Sequence, residues 1–302
     1  MHHTVNCGQA PADERERSSL SHILSRKYPF LKRISIGHSR CGRAIEALSL
    51  GNEAEQVLYC GAFHGMEWLT SLLLYRFLDE ICSAAQTGGS VAEIRIGRFL
   101  NRRGLAVVPC VNPDGVEIAL HGAESAGRYA DLVSAVSKGK TERWQANAAG
   151  VDINHNFDAG WQSLHEAEQN AGIIGPAATR FGGPYPESEP ETQALTHFCK
   201  RHHIRHATAF HSQGEEIYWH FGDNTPEQSR LMATVLAQTS GYTMSAPEGL
   251  AVGGGFKDWF ITQFGRPGFT VEIGKGKNPL PVEDLHAIYH QLEEMLTLCL
   301  IL

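Results

Sequence analysis

Hydrophobic and polar residues along this chain follow two periods, one typical of strands and one of amphipathic helices. Four short apolar runs predict buried strands at residues 56–62, 104–111, 207–210 and 268–272. Two alternating segments around a polar, Gly-containing turn predict a hairpin of strands at residues 31–36 and 43–50. Helical periodicity predicts helices at residues 13–28, 66–81, 187–203, 226–239 and 281–298.

The remaining segments are less regular. Asn112-Pro113-Asp114-Gly115 is predicted to be a turn. Residues 121–149 are polar and carry no clear period, and residues 150–154 are compatible with a short strand. Residues 159–190 are rich in Gly and Pro and are predicted to form a long surface loop, which is often functional inside a compact domain.

Strands and helices alternate, which predicts an α/β fold. We find no internal repeat and no linker, so residues 13–302 are expected to form a single domain. Residues 1–12 are expected to be disordered, and they lack the apolar stretch of a signal peptide.

Composition narrows the functional classes. The 302 residues are 42% hydrophobic and 20% charged, as in globular proteins, and the net charge of −7 argues against a nucleic-acid partner. No apolar run approaches the ~20 residues that span a bilayer, so no membrane partner is expected. The seven Cys contain no CxxC pair, which indicates reduced thiols and a cytoplasmic location. The oligomeric state is not predicted.

Candidate metal ligands follow the predicted strands. His64 and Glu67 come after the strand at 56–62, and an imidazole with a carboxylate suits zinc. A catalytic zinc needs a third protein ligand, and His211 follows another apolar strand. Glu272 ends a further strand, where an unpaired buried carboxylate would be costly without a function.

A second group of possible ligands has a simpler explanation. Cys199, His202, His203 and His206 lie near the C-terminus of a predicted helix, where cationic side chains are favourable. We therefore expect them to be structural.

Four fragments in this order resemble the M14 zinc carboxypeptidase family, and the resemblance covers most of the chain. They are residues 64–67, 150–157, 209–212 and 270–274. The resemblance implies a mixed, mainly eight-stranded sheet sandwiched between helices. It also implies one Zn²⁺ per chain, held by His64, Glu67 and His211; the alternative for each is a hydrogen-bonded buried polar residue.

The same resemblance implies roles for the neighbouring residues. Asp152 would accept a hydrogen bond from the non-ligating nitrogen of His64, or else would merely cap a turn. Glu272 would be the general base toward zinc-activated water and would then protonate the leaving amine. Arg143 would polarise the scissile carbonyl, with Arg128 as the competing assignment. A non-proline cis peptide bond is expected at Ser212-Gln213.

Three positions depart from the family pattern. Asn154-His155 stands where ordinary members carry Asn-Arg to clamp the substrate's terminal carboxylate, and imidazole is a weaker clamp than guanidinium. Leu250 falls in the slot of the family's pocket Tyr, with Tyr242 the nearest alternative. Lys257 falls at the position that selects the substrate side chain, where it would favour a carboxylate unless it is simply a solvated Lys.

Other segments are similar to the bacterial γ-D-glutamyl-diamino-acid peptidase branch, which cuts between D-Glu and meso-diaminopimelate in murein peptides. These are residues 159–161, 172–176, 188–192 and 272–281. The resemblance implies a small muropeptide substrate in the cytoplasm. The alternatives are a metallocarboxypeptidase that removes C-terminal acidic residues and a zinc-bearing, non-catalytic peptide-binding protein; the presence of Glu272 argues against the latter.

Overall fold

The structure, a computed structural model, describes residues 7–8 and 10–302, in which strands and helices alternate. The strands are β1 (Lys32–His38), β2 (Ala44–Gly51), β3 (Gln56–Cys60), β4 (Ser90–Val91), β5 (Ile94–Arg95), β6 (Gly104–Val108), β7 (Ile204–Ser212), β8 (Glu216–Tyr218), β9 (Thr243–Ser245) and β10 (Gly268–Ile273). The helices are α1 (Glu14–Lys27), α2 (Leu69–Thr87), α3 (Ile96–Leu100), α4 (Pro113–His121), α5 (Ala130–Ser137), α6 (Trp161–Asn170), α7 (Pro190–Arg201), α8 (Gln228–Ser240), α9 (Phe256–Phe264) and α10 (Leu285–Ile301).

Eight of these strands form one mixed sheet in the order β1-β2-β6-β3-β7-β10-β8-β9. The central strands β6, β3, β7 and β10 are parallel. The β1–β2 hairpin is antiparallel and joins the sheet through an antiparallel β2–β6 pair. The predicted α/β fold with a mixed eight-stranded sheet is therefore confirmed.

Helices cover both faces of the sheet because the side chains of each central strand alternate. On β3, Val57 and Tyr59 pack into a core with α1, α2, α8 and α10. Leu58 and Cys60 point to the opposite face and pack with α7 and α9. The strand is buried along its whole length, which explains its nearly continuous apolar run.

The N-terminal prediction falls only partly within the described residues. The predicted helix at 13–28 is present as α1, and the Asp13 side chain caps it by accepting from the Glu16 amide. Ala12 is buried in the core. The predicted disorder of residues 1–12 lies mostly outside the described part of the chain and stays a prediction.

Three local predictions were wrong. Residues 112–115 do not form an isolated turn but begin α4, since Asn112 caps the helix and Pro113 occupies its first turn. Residues 150–154 do not form a strand; a 3₁₀ turn spans Ile153–His155 instead. The predicted surface loop at 159–190 contains α6, whose Trp161, Leu164 and Glu168 are buried.

The seven Cys residues are all within the described segments and all carry free thiols. Within those same segments, every helix is too short or too polar to cross a lipid bilayer.

Candidate active site

Three parallel strands deliver the candidate residues to one edge of the sheet. Glu272 on β10 lies beside His211 on β7 in the parallel register. Cys60, the last residue of β3, pairs with Ala209 of β7, and the chain then continues for four residues to His64. Carboxyl ends of parallel strands form the usual site of an open α/β sheet.

The loop after β3 is held by hydrogen bonds to the segment at Trp144–Gln145 and packs closely against the start of α4. The Gly65 and Met66 amides donate to the carbonyls of Gln145 and Trp144, at 3.1 and 2.9 Å. A Cβ on Gly65 would lie 2.1 Å from the Gly115 carbonyl oxygen, so only glycine fits this approach. The His64–Glu67 pair is thus placed by close backbone contacts.

His64, Glu67 and His211 converge as a group that could hold a metal ion, with one ligand atom from each lying within 4.8 Å of the others. The Nδ1 atoms of His64 and His211 are 3.3 Å apart. Glu67 Oε1 lies 2.9 Å from His64 Nδ1, and Oε2 lies 3.0 Å from His211 Nδ1. Two imidazole nitrogens and a carboxylate that meet at one point are a donor set suited to zinc, so the site fits the ion that the family uses.

Asp152 holds the other face of His64. Its Oδ1 lies 3.2 Å from His64 Nε2, while Nδ1 faces the ligand group. The same carboxylate accepts from the amides of Asn154 and Arg180, at 3.1 and 2.8 Å. This geometry fits the expected hydrogen bond between Asp152 and His64, and the role of Asp152 in orienting a metal-bound imidazole stays a prediction.

The acidic groups around His64 are held ionised. Burial opposes ionisation of Glu67, but His64 and His211 lower its pKa to about 2. Burial also opposes ionisation of Asp152, yet the charges of His64 and His155 hold its pKa well below the usual range. Ionised carboxylates at these positions favour a bound cation.

Glu272 has the opposite tendency. Burial and the charge of Glu67 raise its pKa well above the usual range, and His64 only partly offsets them. Glu216 adds to the effect from the neighbouring strand. A carboxyl group that readily holds a proton at this place suits a residue that both accepts and returns one.

His64, His211 and Glu272 line one cavity of about 130 Å³. The lining residues are His64, Asn154, His155, His211, Tyr218, Pro247, Ala251, Gly255, Lys257, Asp258, Thr270 and Glu272.

Three of the predicted substrate-binding residues line this cavity, and each side chain is held by a hydrogen bond to another residue. Asn154 Oδ1 accepts from the Phe256 amide at 3.0 Å. His155 Nδ1 lies 2.7 Å from Glu168 Oε1. Lys257 is 5% exposed, so it is not a solvated surface Lys; its Nζ donates to the His220 carbonyl at 2.8 Å and to Asp258.

The two arginines lie elsewhere. Arg143 and Arg128 are both exposed and are not among the residues that line the cavity. Arg128 Nη2 donates to the Tyr129 hydroxyl at 3.1 Å. Arg143 immediately precedes Trp144, whose carbonyl accepts from the Met66 amide in the loop that carries His64 and Glu67, here called the metal loop. Of the two arginines, Arg143 is therefore the closer in sequence to a residue that contacts this loop. The assignment of a carbonyl-polarising Arg stays a prediction.

Comparison with known proteins decides the family. Residues 18–295 match the family model described as zinc carboxypeptidase. The chain belongs to the M14 zinc carboxypeptidases. It is 33% identical over 271 residues to gamma-D-glutamyl-L-diamino acid endopeptidase 1 of Lysinibacillus sphaericus, across 89% of this chain and 67% of that protein.

Solved structures show the same fold. Bovine thrombin-activatable fibrinolysis inhibitor superposes with a TM-score of 0.76 at 20% identity, covering 97% of each chain. Murein-tripeptide amidase MpaA from Escherichia coli O157 superposes with a TM-score of 0.53 at 23% identity, covering 86% of this chain and 91% of that chain. The protein is therefore a zinc metallopeptidase with the carboxypeptidase architecture.

One feature of this zinc carboxypeptidase site, the tyrosine that lines its cavity, was missed from sequence. Tyr218 lines the cavity and donates to Glu216 Oε2 at 2.5 Å, whereas Tyr242 is buried and its hydroxyl accepts from the Gly274 amide at 3.0 Å. The alternation Glu216-Ile217-Tyr218 would have predicted a short strand with both polar residues on one face. Leu250 lies in a 3₁₀ turn beside the cavity-lining Ala251.

The expected cis peptide bond at Ser212-Gln213 is present. The second His-rich group is structural within the described residues: His202 Nδ1 lies 2.9 Å from the Phe198 carbonyl oxygen, and His206 Nε2 lies 2.8 Å from that of Cys299. The one group of three metal-type ligands found in the described chain is that of His64, Glu67 and His211.

Proposed function

We propose that this zinc metallopeptidase hydrolyses the amide bond between the γ-carboxyl of D-glutamate and meso-diaminopimelate in murein peptides. Membership of the family supports the hydrolytic chemistry, and the named specificity of the Lysinibacillus sphaericus relative supports the substrate class.

The observation that carries the substrate assignment is the buried Lys257 in the cavity. Its Nζ has three hydrogens, of which two are used by the His220 carbonyl and by Asp258. The diaminopimelate side chain ends in a carbon that bears both a carboxylate and an ammonium group. A buried cation beside a buried carboxylate is complementary to that end, whereas an apolar side chain would leave the third Nζ hydrogen without an acceptor.

The chain's own residues account for the proton transfers. Bound zinc, one ion held by His64, Glu67 and His211, would act as a Lewis acid on the scissile carbonyl. As the oxygen of the attacking water bonds to the carbonyl carbon, Glu272 takes a proton from that water. When the C–N bond breaks, Glu272 returns that proton to the leaving amine. We assign stabilisation of the developing oxyanion to Arg143, with Arg128 as the alternative.

The free thiols support a reducing compartment, and we propose that the peptidase acts in the cytoplasm on soluble muropeptides.

The test of this function is hydrolysis of L-Ala-γ-D-Glu-meso-diaminopimelate. We expect cleavage that a zinc chelator abolishes and that added zinc restores. Glu272→Gln should lower kcat by about 10²- to 10⁴-fold with unchanged zinc content, because the general base is lost while the three ligands remain. Intact tripeptide after long incubation with zinc-loaded enzyme would refute the proposal.

A second set of variants tests the role of Lys257. We expect Lys257→Met with Asp258→Asn, which removes both members of the buried pair, to raise KM for the tripeptide. Lys277→Met removes an exposed positive charge near β10 and serves as the control. Preferential cleavage of peptides with an α-linked C-terminal Glu would indicate an acid-selective carboxypeptidase instead. Tight binding without turnover would indicate a binding protein.

A further inference from the structure

A buried carboxylate lies directly behind the cavity wall. Glu168 on α6 is 0% exposed, and its Oε1 lies 2.7 Å from His155 Nδ1. Its Oε2 accepts from the Gly182 amide at 3.0 Å and lies 3.6 Å from His165 Nδ1. Within the described chain, Glu168 forms ion pairs with no Lys or Arg. A buried carboxylate is costly without polar partners, and here the His155 imidazole and the Gly182 amide supply them.

His155 connects this carboxylate to the cavity. The residue is 8% exposed and lines the cavity together with Glu272. No hydrogen bond from a described residue engages its Nε2. When the Nδ1–H of His155 donates to Glu168, Nε2 of a neutral ring can only accept a hydrogen bond. An imidazolium instead donates through both nitrogens. The second form can bind an anion in the cavity.

The charged and titratable groups around His155 come from three parts of the molecule. From α6 it faces Glu168 and, behind that carboxylate, His165. On its own segment the charge of Asp152 interacts with it. Across the cavity are His64, His211, Glu272 and the Lys257–Asp258 pair. The carboxylates of Glu168, 2.7 Å from Nδ1, and of Asp152 are both negative and favour a cationic ring.

We propose that Glu168 is a positioning residue that holds His155 as an imidazolium, so that its Nε2–H binds a free carboxylate of the substrate inside the catalytic cavity. The proposal rests on the proposed function for the identity of that carboxylate. In the tripeptide it is the free α-carboxylate of diaminopimelate on the leaving-group side. In the tetrapeptide that carboxylate is consumed by the amide bond to D-Ala.

The first experiment compares Glu168→Gln with Glu166→Gln. The latter removes the same charge from an exposed position of α6, away from His155. We expect Glu168→Gln to raise KM for the tripeptide by about 10- to 100-fold, as for carboxylates that orient metal-binding histidines. Its kcat should change little, KM for the tetrapeptide should stay the same, and Glu166→Gln should behave as wild type.

A purely structural role for Glu168 makes a different prediction. It would lower thermal stability and impair both peptides equally, and that result overturns the proposal, as does an unchanged KM for the tripeptide. His155→Arg in the Glu168→Gln background restores a cation that needs no carboxylate to stay charged. We expect it to recover part of the tripeptide KM.

A spectroscopic experiment keeps this inference separate from the proposed function. In zinc-loaded protein labelled with ¹⁵N-histidine, the His155 signals are assigned by their loss in His155→Gln. We expect both ring nitrogens to show protonated shifts at neutral pH in wild type and in Glu166→Gln, and one of them to lose its proton in Glu168→Gln. Identical spectra for all three proteins overturn the inference even if the peptides are cleaved. A peptidase that cleaves neither peptide but shows the expected spectra refutes only the proposed substrate.

Discussion

At the residue scale, the chemistry of the site depends on the partners of each side chain more than on its type. His64 and His211 present Nδ1 to the same point, but only His64 has a carboxylate on its other nitrogen. His211 Nε2 is buried without a hydrogen-bond partner in the described chain, and its ring instead stacks on Phe63 with centroids 5.1 Å apart. One candidate ligand is therefore oriented by a hydrogen bond and the other by packing.

The role of Asp152 can be measured directly. Asp152→Asn keeps an oxygen that can accept from His64 but removes the negative charge. We expect a ~10- to 100-fold weaker affinity for zinc, determined by competition with a chelator. Asp158→Asn, an exposed change in the same loop, is the control. Equal zinc affinity in the two variants would contradict the orienting role of Asp152.

At the element scale, the metal loop depends on where helix α4 begins. Asn112 Oδ1 accepts from the Gly115 amide at 2.9 Å and caps the helix. Its Nδ2 donates to the carbonyls of Phe63 and Gln145, each at 3.0 Å. A residue that resembles part of a turn in the sequence thus joins α4 to the residue that precedes His64.

We expect Asn112→Ala to lower the free energy of unfolding by about 2–3 kcal/mol, since it removes a cap and leaves the buried Phe63 carbonyl without this donor. Asn112→Asp retains the capping oxygen but sets a carboxylate against both carbonyls, so it should be at least as destabilising. Urea unfolding measures both effects. Asn170→Ala, at an exposed helix end, is the control; a cap variant no less stable than this control would show that the contacts are dispensable.

At the scale of the whole molecule, one buried histidine makes the stability of the fold depend on pH. His206 on β7 has Nε2 2.8 Å from the Cys299 carbonyl oxygen on α10, and its Nδ1 is buried without a partner in the described residues. Burial lowers its pKa to about 3; the bond to Cys299 opposes this, and Arg205 and Arg103 add to it. In the unfolded chain this histidine has a pKa of about 6.5, so between pH 6.5 and 3 it binds a proton that it does not bind in the folded protein.

Because the folded protein binds this proton less readily than the unfolded chain, stability falls as the pH falls. The stabilising contribution of neutral His206 is complete above about pH 6.5 and is lost as the pH falls toward 3, by at most about 1.4 kcal/mol per pH unit. We expect His206→Gln, whose amide can still donate to Cys299, to lose stability less steeply than wild type between pH 6.5 and 4. Thermal unfolding across this range measures the pH dependence of stability, and His203→Gln, which removes an exposed imidazole, is the control. Parallel curves for wild type and His206→Gln would refute the prediction.

Periodicity in the sequence was enough for strands β1, β2, β3, β6, β7 and β10 and for helices α1, α2, α7, α8 and α10, because the central strands are buried on both faces and are mostly apolar. Periodicity placed His64, Glu67, His211 and Glu272 at or after the ends of such strands, but the resemblance to the zinc carboxypeptidases supplied their expected roles and the eight-stranded sheet. Periodicity failed at Asn112, where the same residues that favour a turn also favour a helix N-terminus. It failed again for α6, whose polar composition obscured the buried face around Glu168.

The sequence by itself determined the α/β fold class and most strand ends, because burial on a strand is a local property visible in each short run of residues. Its resemblance to the zinc carboxypeptidases named the candidate metal ligands. Only the tertiary structure decided which groups surround them. Glu168 meets His155 across 13 positions of chain, and Lys257 finds the His220 carbonyl across 37. Such contacts arise from the packing of separate elements, and no local pattern encodes the distance between two side chains that only folding brings together.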